Sequence, residues 1–415
     1  MLARVLNSLT VRSFQAGTFL LALLQYWFSP YGLRGGGGKR LRSLGEEGLT
    51  AVPQPERICV FVLYSRYLTS SSRCAIEFWN QAGFDVVVVN NLPLDAGDMA
   101  ALTPLAWCVF ERVNMGQDIG AYQDAVLWLA QTGKLERCQA LALTNDSLQF
   151  IPGHNAVDLA QRIESFLDSP RPEALFSHVS YQYCRHYQSF FQVLKPSVFR
   201  SRKFLAFWRS YRPINNRLHC IHKGELELSR QVYNQLRHVR VLYTTEALSE
   251  RLRNALRHQK PISADSLLLL MPSIHRTQLL KVDNPALNTL LEARGEARSL
   301  CESEIYCIAD LIENNNPSHV AAFLYPFYLA CPYVKRDLCF AGSYPLAQAI
   351  NLYEDALRKS LGSTDAVAPL LSALSTEYAE ALQQKAIPLA YKNHRFAAMK
   401  KGLKGGFFYS ATTIV

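Results

Sequence analysis

The sequence predicts an α/β protein: a mostly parallel, Rossmann-type sheet flanked by helices, followed by a mainly helical carboxyl-terminal region. Three observations predict it. Short apolar runs alternate with helical stretches of roughly 10–15 residues between Ile58 and His178, the pattern of parallel strands joined by right-handed crossovers. The runs are continuous, as in strands buried on both faces, and each of the first four ends in polar residues. From about Glu296 the pattern changes to helices with short breaks. At 415 residues the chain is too long for one ordinary core, so two domains are expected. The boundaries read as 1–50 for an amphipathic amino-terminal segment and Gly-rich joint, 51–290 for the α/β domain and 291–415 for the helical region.

Taken in order, Ile58 to Leu63 (ICVFVL) is the first strand, breaking at Tyr64-Ser65-Arg66. Cys74 to Ala82 reads as a helix stopped by Gly83. Val86 to Val89 is a second strand, ending in Asn90-Asn91, and Trp107 to Glu111 a third. The third runs into a turn, Arg112 to Ala121, where Asp118 is placed to cap a helix with Ile119, Tyr122, Val126 and Leu129 at helical spacing. Ala140 to Leu143 is a fourth strand, running into Asn145-Asp146-Ser147. Leu148 to Pro152 then stays extended, because Pro152 keeps it out of a helix. Asn155 to Leu167 is helical and Ala174 to His178 is another strand. Phe199 to Tyr211 reads as a helix with Phe204, Phe207 and Trp208 on one face and Arg202, Lys203 and Arg209 around it. Pro345 to Arg358 and Val367 to Gln384 are the clearest later helices, and Lys392 to Phe408 is a basic, aromatic tail.

Composition narrows the function. Hydrophobic residues at 49% and charged residues at 19% describe a folded globular chain. The net charge of +10 suits a phosphate-bearing ligand or an anionic membrane surface. Nucleic acid is disfavoured: there is no zinc-finger spacing, no basic helix with heptads and no aromatic RNA-binding signature. The ten cysteines are scattered, without a C-x-x-C pair, which reads as free thiols in a reducing compartment.

Ala16 to Phe28 is apolar apart from Thr18 and Gln25, but shorter than the ~20 residues a spanning helix needs. It lacks the small-residue cleavage site of a secretory signal. Two readings stand. One is a helix packed on the protein. The other is a monotopic helix in the bilayer interface, with Tyr26 and Trp27 at headgroup level and Arg34, Lys39, Arg40 and Arg42 on anionic lipid. Gly35 to Gly38 would be a flexible joint.

The chemistry is expected at the strand ends. The turns after the third and fourth strands, at the carboxyl ends of neighbouring strands, would face one crevice, where open α/β sheets bind ligands. Asn recurs at the last three strand ends, and no Gly-x-Gly-x-x-Gly follows Leu63. This favours a nucleotide-sugar crevice over a dinucleotide or methyltransferase site. Asn145-Asp146-Ser147 is a reduced form of the acidic pair with which many nucleotide-sugar transferases hold a divalent cation against a diphosphate. An Asx-turn accounts for the bare tripeptide equally well.

Four motifs occur in a fixed order: N-x-G-x-D-x-G-A at Asn114 to Ala121, T-N-D-S at Thr144 to Ser147, H-x-Q-S-F-F at His186 to Phe191 and G-E-x-x-L-S at Gly224 to Ser229. Together they resemble the rhamnan synthesis protein F family, whose members look like GT-A-type glycosyltransferases of bacterial surface rhamnose polymers. The resemblance covers roughly Arg57 to Pro285. It implies a GT-A-like fold, a nucleotide-sugar donor such as dTDP-rhamnose, and a lipid-linked saccharide acceptor. The place of action would be cytoplasmic, peripheral on the inner membrane. Tyr64, Asn114, Gly116, Asp118, Asn145 and Asp146 would then meet the donor, with Gly116 allowing close backbone approach and Asp118 accepting from a sugar hydroxyl. Asp146 would hold Mg²⁺ or Mn²⁺. His186, Gln188 and Ser189 would line the acceptor side, with Tyr187 and Phe190 stacking on sugar faces. Glu225 would be the base, although Glu227 stands two residues on. Asn145, where an Asp would bind metal better, keeps a second reading open: a non-catalytic scaffold of a polysaccharide assembly complex.

Overall fold

The computed structural model describes residues 2–29, 41–43, 55–64, 67–257, 264–272, 302–340, 344–363 and 365–384. The Gly35–Gly38 joint, Arg34, Lys39 and Arg40, Ser65-Arg66, the end of the resemblance at Pro285 and the tail from Lys392 lie outside the described residues.

Short turns aside, the elements in chain order are α1 (Leu2–Phe28), β1 (Arg42–Ser43), β2 (Arg57–Leu63), α2 (Ser70–Gln81), β3 (Asp85–Asn90), α3 (Ala96–Leu102), β4 (Cys108–Glu111) and α4 (Gln117–Gln131). Then come β5 (Ala140–Asn145), β6 (Leu148–Phe150), α5 (His154–Asp168), β7 (Ala174–Phe176), β8 (Val179–Ser180), β9 (His186–Tyr187), β10 (Phe191–Leu194) and α6 (Arg202–Ser210). Last are β11 (Val239–Val241), α7 (Thr245–Arg257), α8 (Glu302–Glu313), β12 (Tyr333–Lys335), α9 (Leu346–Leu361) and α10 (Val367–Gln384). The chain forms two compact units, one from residues 1–146, 189–236 and 377–415, the other from 147–188 and 237–376. Neither is a consecutive segment, because the chain leaves the first unit after Asp146 and returns at Ser189.

In the first unit the strand order is β1-β4-β3-β2-β5-β10. β4, β3, β2 and β5 are mutually parallel; β1 and β10 run antiparallel on β4 and β5. Ile58–Leu63, Val86–Asn90 and Ala140–Asn145 are buried throughout, which is why they carry no polar alternation. The chain builds outward from β2 through β3 to β4, then returns to place β5 on the other side of β2. That reversal makes a switch point between β2 and β5, where open sheets bind ligands. It also corrects the expectation that the third and fourth strands are neighbours. β3 and β2 lie between β4 and β5, a span of about 14 Å at the usual strand spacing of about 4.8 Å.

Helix starts also differ from the periodic pattern. α2 begins at Ser70, where Thr69 Oγ1 accepts from the Ser72 N–H at 3.1 Å; three serines in a row carry no apolar signal. The N-cap of α4 is Gly116, so Asp118 lies inside the first turn, where its Oδ1 accepts from the Ile119 N–H at 2.9 Å. α1 packs through Ala22 and Tyr26 on Met115 and Ile214, with Leu23 against the same cluster. No helix among the described residues is long and apolar enough to cross a membrane.

In the second unit β7 pairs parallel with β11, β6 antiparallel with β12, and β8 antiparallel with β9. His178 is buried there among the rings of Tyr325, Tyr243 and Tyr333, at 4.9, 5.5 and 6.4 Å. Burial, with Lys335 nearby, pushes its pKa down from 6.5 to about 3. The unfolded chain therefore takes up a proton near pH 6.5 that the folded one refuses until about pH 3. Stability from this group is full above 6.5 and is lost on acidification between those values, at up to about 1.4 kcal/mol per pH unit. His178→Phe is expected to shrink the loss of urea resistance between pH 7 and pH 5. An unchanged loss would assign the acid sensitivity to other groups.

Candidate active site

The carboxyl ends of β2, β4 and β5 are tied together by side chains. The Tyr64 N–H donates to Asp146 Oδ2 at 2.9 Å, and the Asp146 N–H to the Val62 carbonyl at 3.0 Å. Asn114 Nδ2 donates to Tyr64 Oη at 3.1 Å, and Asn145 Nδ2 to Asp118 Oδ2 at 2.8 Å. Asp118 Oδ1 accepts from the Ile119 N–H at 2.9 Å. These bonds close the gap left by the two intervening strands, because the first turn of α4 carries Asp118 back over β5. Tyr64, Asn114, Asp118, Asn145 and Asp146 thus meet at the switch point. Asn114 Oδ1 is buried and accepts no hydrogen bond from the protein, an acceptor that a bound donor group would satisfy. Tyr122 lies beneath, close to Asn145 and to both carboxylates. Burial first, then Asp118, pushes its phenol well up, so it stays a protonated donor. Burial likewise raises the Tyr64 phenol.

The loop before α4 explains its glycines by packing. Gly116 has φ +72°, and an added Cβ would lie 2.6 Å from Pro213 Cβ. A Cβ on Gly120 would lie 2.0 Å from the Met115 carbonyl oxygen. The close approach expected of Gly116 is therefore made to Pro213. Gln117 shares the left-handed region at φ 54°. Arg112 sits fully buried under this loop. Its Nε donates to Asp124 Oδ2 at 2.8 Å, one Nη to Asn91 Oδ1 and the other to the Met115 carbonyl at 2.7 Å. Nothing in the polar ending of the third strand distinguishes Arg112 from a solvated residue. Its partner on the helix twelve positions away is what gives it this role.

Glu225 belongs to a π-helical turn, Cys220–Leu226. Such turns arise where an extra residue is tolerated for placement, frequently at functional sites. Gly224 lets this turn lie against α4, since a Cβ there would meet Ile119 Cγ2 at 2.8 Å. Cys220 Sγ donates to the Gly116 carbonyl at 3.4 Å, tying the same turn to the glycine loop. Glu225 Oε2 accepts from the Ser189 N–H at 2.8 Å. The Gly116 loop, Ser189 and the Glu225 turn therefore pack together within the first unit. Glu227 is engaged instead by Arg230 and Gln231, whose hydrogen bonds lower its pKa to about 2.

Of the acceptor-side residues, Ser189 is engaged through its N–H by Glu225. His186 is buried with Nδ1 2.8 Å from the Cys184 carbonyl. Gln188 is bonded at both ends of its amide, Nε2 to Asn316 at 3.1 Å and Oε1 to Ser318 Oγ at 3.0 Å. Tyr187 is stacked on Phe176 at 4.2 Å, and Phe190 is buried, so neither ring offers a face to a sugar. This corrects their expected stacking role; the dense aromatic stretch is core. Arg202, Lys203 and Arg209 are exposed on α6, as solvated basic residues are.

Among the described residues no three His, Cys, Asp or Glu side chains group as metal ligands. The carboxylates at the switch point are Asp118 and Asp146. That set fits Mg²⁺ held the way nucleotide enzymes hold it, by one or two carboxylates with water and substrate phosphate completing the shell.

Residues 86–283 match the family described as rhamnan synthesis protein F. The matched span contains all four motifs and leaves out Tyr64. The family description links it to rhamnan, and so to polysaccharide, synthesis. An uncharacterized protein of Sinorhizobium fredii is 24% identical over 212 residues, covering 51% of this chain and 55% of its own length. The chain thus spans about half the length of that relative.

Proposed function

We propose that this chain, matching rhamnan synthesis protein F over residues 86–283, is a glycosyltransferase. It would move a sugar, rhamnose from dTDP-rhamnose, onto a lipid-linked saccharide at the inner-membrane surface. The observation that carries this reading is the cluster of Tyr64, Asn114, Asp118, Asn145 and Asp146 at the β2–β5 switch point, with the unsatisfied Asn114 Oδ1 among them. Asn114 and Asp118 would hold donor hydroxyl and amide groups, and Asp146 would face the diphosphate with Mg²⁺ or Mn²⁺. When bound, that cation would offset the charge growing on the departing nucleoside diphosphate. Glu225 would take the proton of the acceptor hydroxyl as that oxygen bonds to the anomeric carbon and the bond to diphosphate breaks. Ser189 is the positioning residue for Glu225, through its N–H.

One observation favours the scaffold reading. Asn145, next to Asp146 in the chain, gives Asp118 a neutral amide partner where another acid would draw in a metal. Calorimetric titration with dTDP, UDP and GDP, with and without Mn²⁺, separates the two. The transferase reading expects one nucleotide, dTDP, to bind about tenfold more tightly with metal, about 1.4 kcal/mol. Absence of binding by all three would move the assignment to the scaffold.

A further inference from the structure

We infer that α1, together with the segment Arg212–Lys223, forms one docking surface for an anionic lipid bilayer. The inference deepens the membrane-side placement proposed above and is tested apart from it. α1 has two apolar faces, and the described residues cover only one. Ala22 and Tyr26 are docked on Met115 and Ile214. On the opposite side Leu20, Leu24 and Phe28, four residues apart, form a ridge that is 58%, 46% and 79% exposed, with Leu21 and Trp27 beside it. Surfaces in water rarely keep a contiguous row of large apolar side chains. Because the inner face is already seated, the exposed ridge is a second binding face.

The surroundings specify the occupant. The rings of Phe19 and His219 lie 6.3 Å apart, which places α1 along the Arg212–Lys223 segment of the same unit. That segment exposes Arg212, Arg217, Leu218, His222 and Lys223 and contains no carboxylate. The first 45 residues of the chain contain no Asp or Glu either, against six Lys and Arg. An apolar ridge with Trp27 at its edge and a rim of one sign matches the acyl, interfacial and headgroup layers of an anionic leaflet. A second copy of the chain would bring two positive rims together, which disfavours it. Met115, the seat of α1, adjoins Asn114 and Gly116. The π-helical turn that holds Glu225 begins at Cys220, within the basic segment. Docking by this face therefore brings the site residues to the plane from which a lipid-borne acceptor is presented.

The test is co-sedimentation of the full chain with vesicles of phosphatidylcholine alone or with phosphatidylglycerol added. Wild type is expected to bind the phosphatidylglycerol vesicles. Leu20→Glu with Leu24→Glu should reduce the bound fraction more than about tenfold. Arg217→Glu with Lys223→Glu should weaken binding about fivefold per charge, for the anionic vesicles alone. Both pairs are exposed, and circular dichroism checks their fold. No binding by wild type, or unchanged binding by either pair, overturns the inference. So does a wild-type dimer on size exclusion that Leu20→Glu with Leu24→Glu makes monomeric, since the ridge would then join two copies. Nucleotide titration without vesicles reads the active site independently, so a failure here leaves that proposal standing.

Discussion

On the proposed transferase reading, Asp118→Ala is expected to lower sugar transfer by a factor on the order of 10²–10³, the usual consequence of removing one preorganised polar group from a reacting site. Stability should fall as well, by about 1–3 kcal/mol, because the buried Asn145 amide loses the oxygen it donates to at 2.8 Å. The two effects are separable with Asp118→Asn. That variant keeps the size of the side chain and removes its charge, so its urea midpoint should stay closer to wild type while transfer falls as far as in Asp118→Ala. A donor-hydrolysis assay on both, alongside urea titration, decides the matter. If folded Asp118→Asn turns over at the wild-type rate, the carboxylate serves only to hold β5 against α4. Asp146 is the less decisive target, since its Oδ2 also anchors the Tyr64 N–H and so the end of β2.

The parts of this site legible in sequence were those whose environment is set by the chain on either side of them. β2, β3 and β5 read as strands because burial on both faces demands unbroken apolar runs, and their polar ends follow from the loops that leave them. Asn145 and Asp146 stand at such an end, Asn114 and Asp118 in the turn after another, and the structure brings the four together. What could not be read depends on pairings distant in sequence. The run Phe191–Leu194 is too short to reveal that it adds antiparallel to β5. Tyr187 and Phe190 look like sugar platforms until Phe176 and the core are placed around them. Likewise Glu225 and Glu227 are indistinguishable as letters. One faces the Ser189 N–H while the other is taken by Arg230 and Gln231, and a seven-residue π-helical turn decides which. The division into interleaved units has the same origin, since it follows contacts between segments far apart in the chain.

Arg112→Ala should be among the most destabilising single changes to the first unit, costing about 3–5 kcal/mol. That is a large fraction of the 5–15 kcal/mol typical of whole domains. Its guanidinium and the Asp124 carboxylate have side-chain exposures of 0% and 1%, so removing either partner strands a charge away from water. Asp124→Asn should therefore be nearly as harmful as the arginine deletion, and Arg112→Lys should not rescue it. Three acceptors in different directions, Asp124, Asn91 and the Met115 carbonyl, suit a planar fork and not a single ammonium. Arg112→Met with Asp124→Leu should cost less than the sum of the single changes, because no charge is left buried. Activity is expected to fall in the double variant nonetheless. Met115 sits between Asn114 and Gly116, and without the Arg112 bond its carbonyl no longer fixes the loop from which Asn114 and Asp118 project. Urea midpoints for the four variants, with nucleotide binding for those that fold, read the two consequences separately. Single variants within about 1 kcal/mol of wild type would mean that water reaches the pair, at the cost expected of an exposed ion pair. The loop would then owe its shape to Gly116, Gly120 and Pro213 alone.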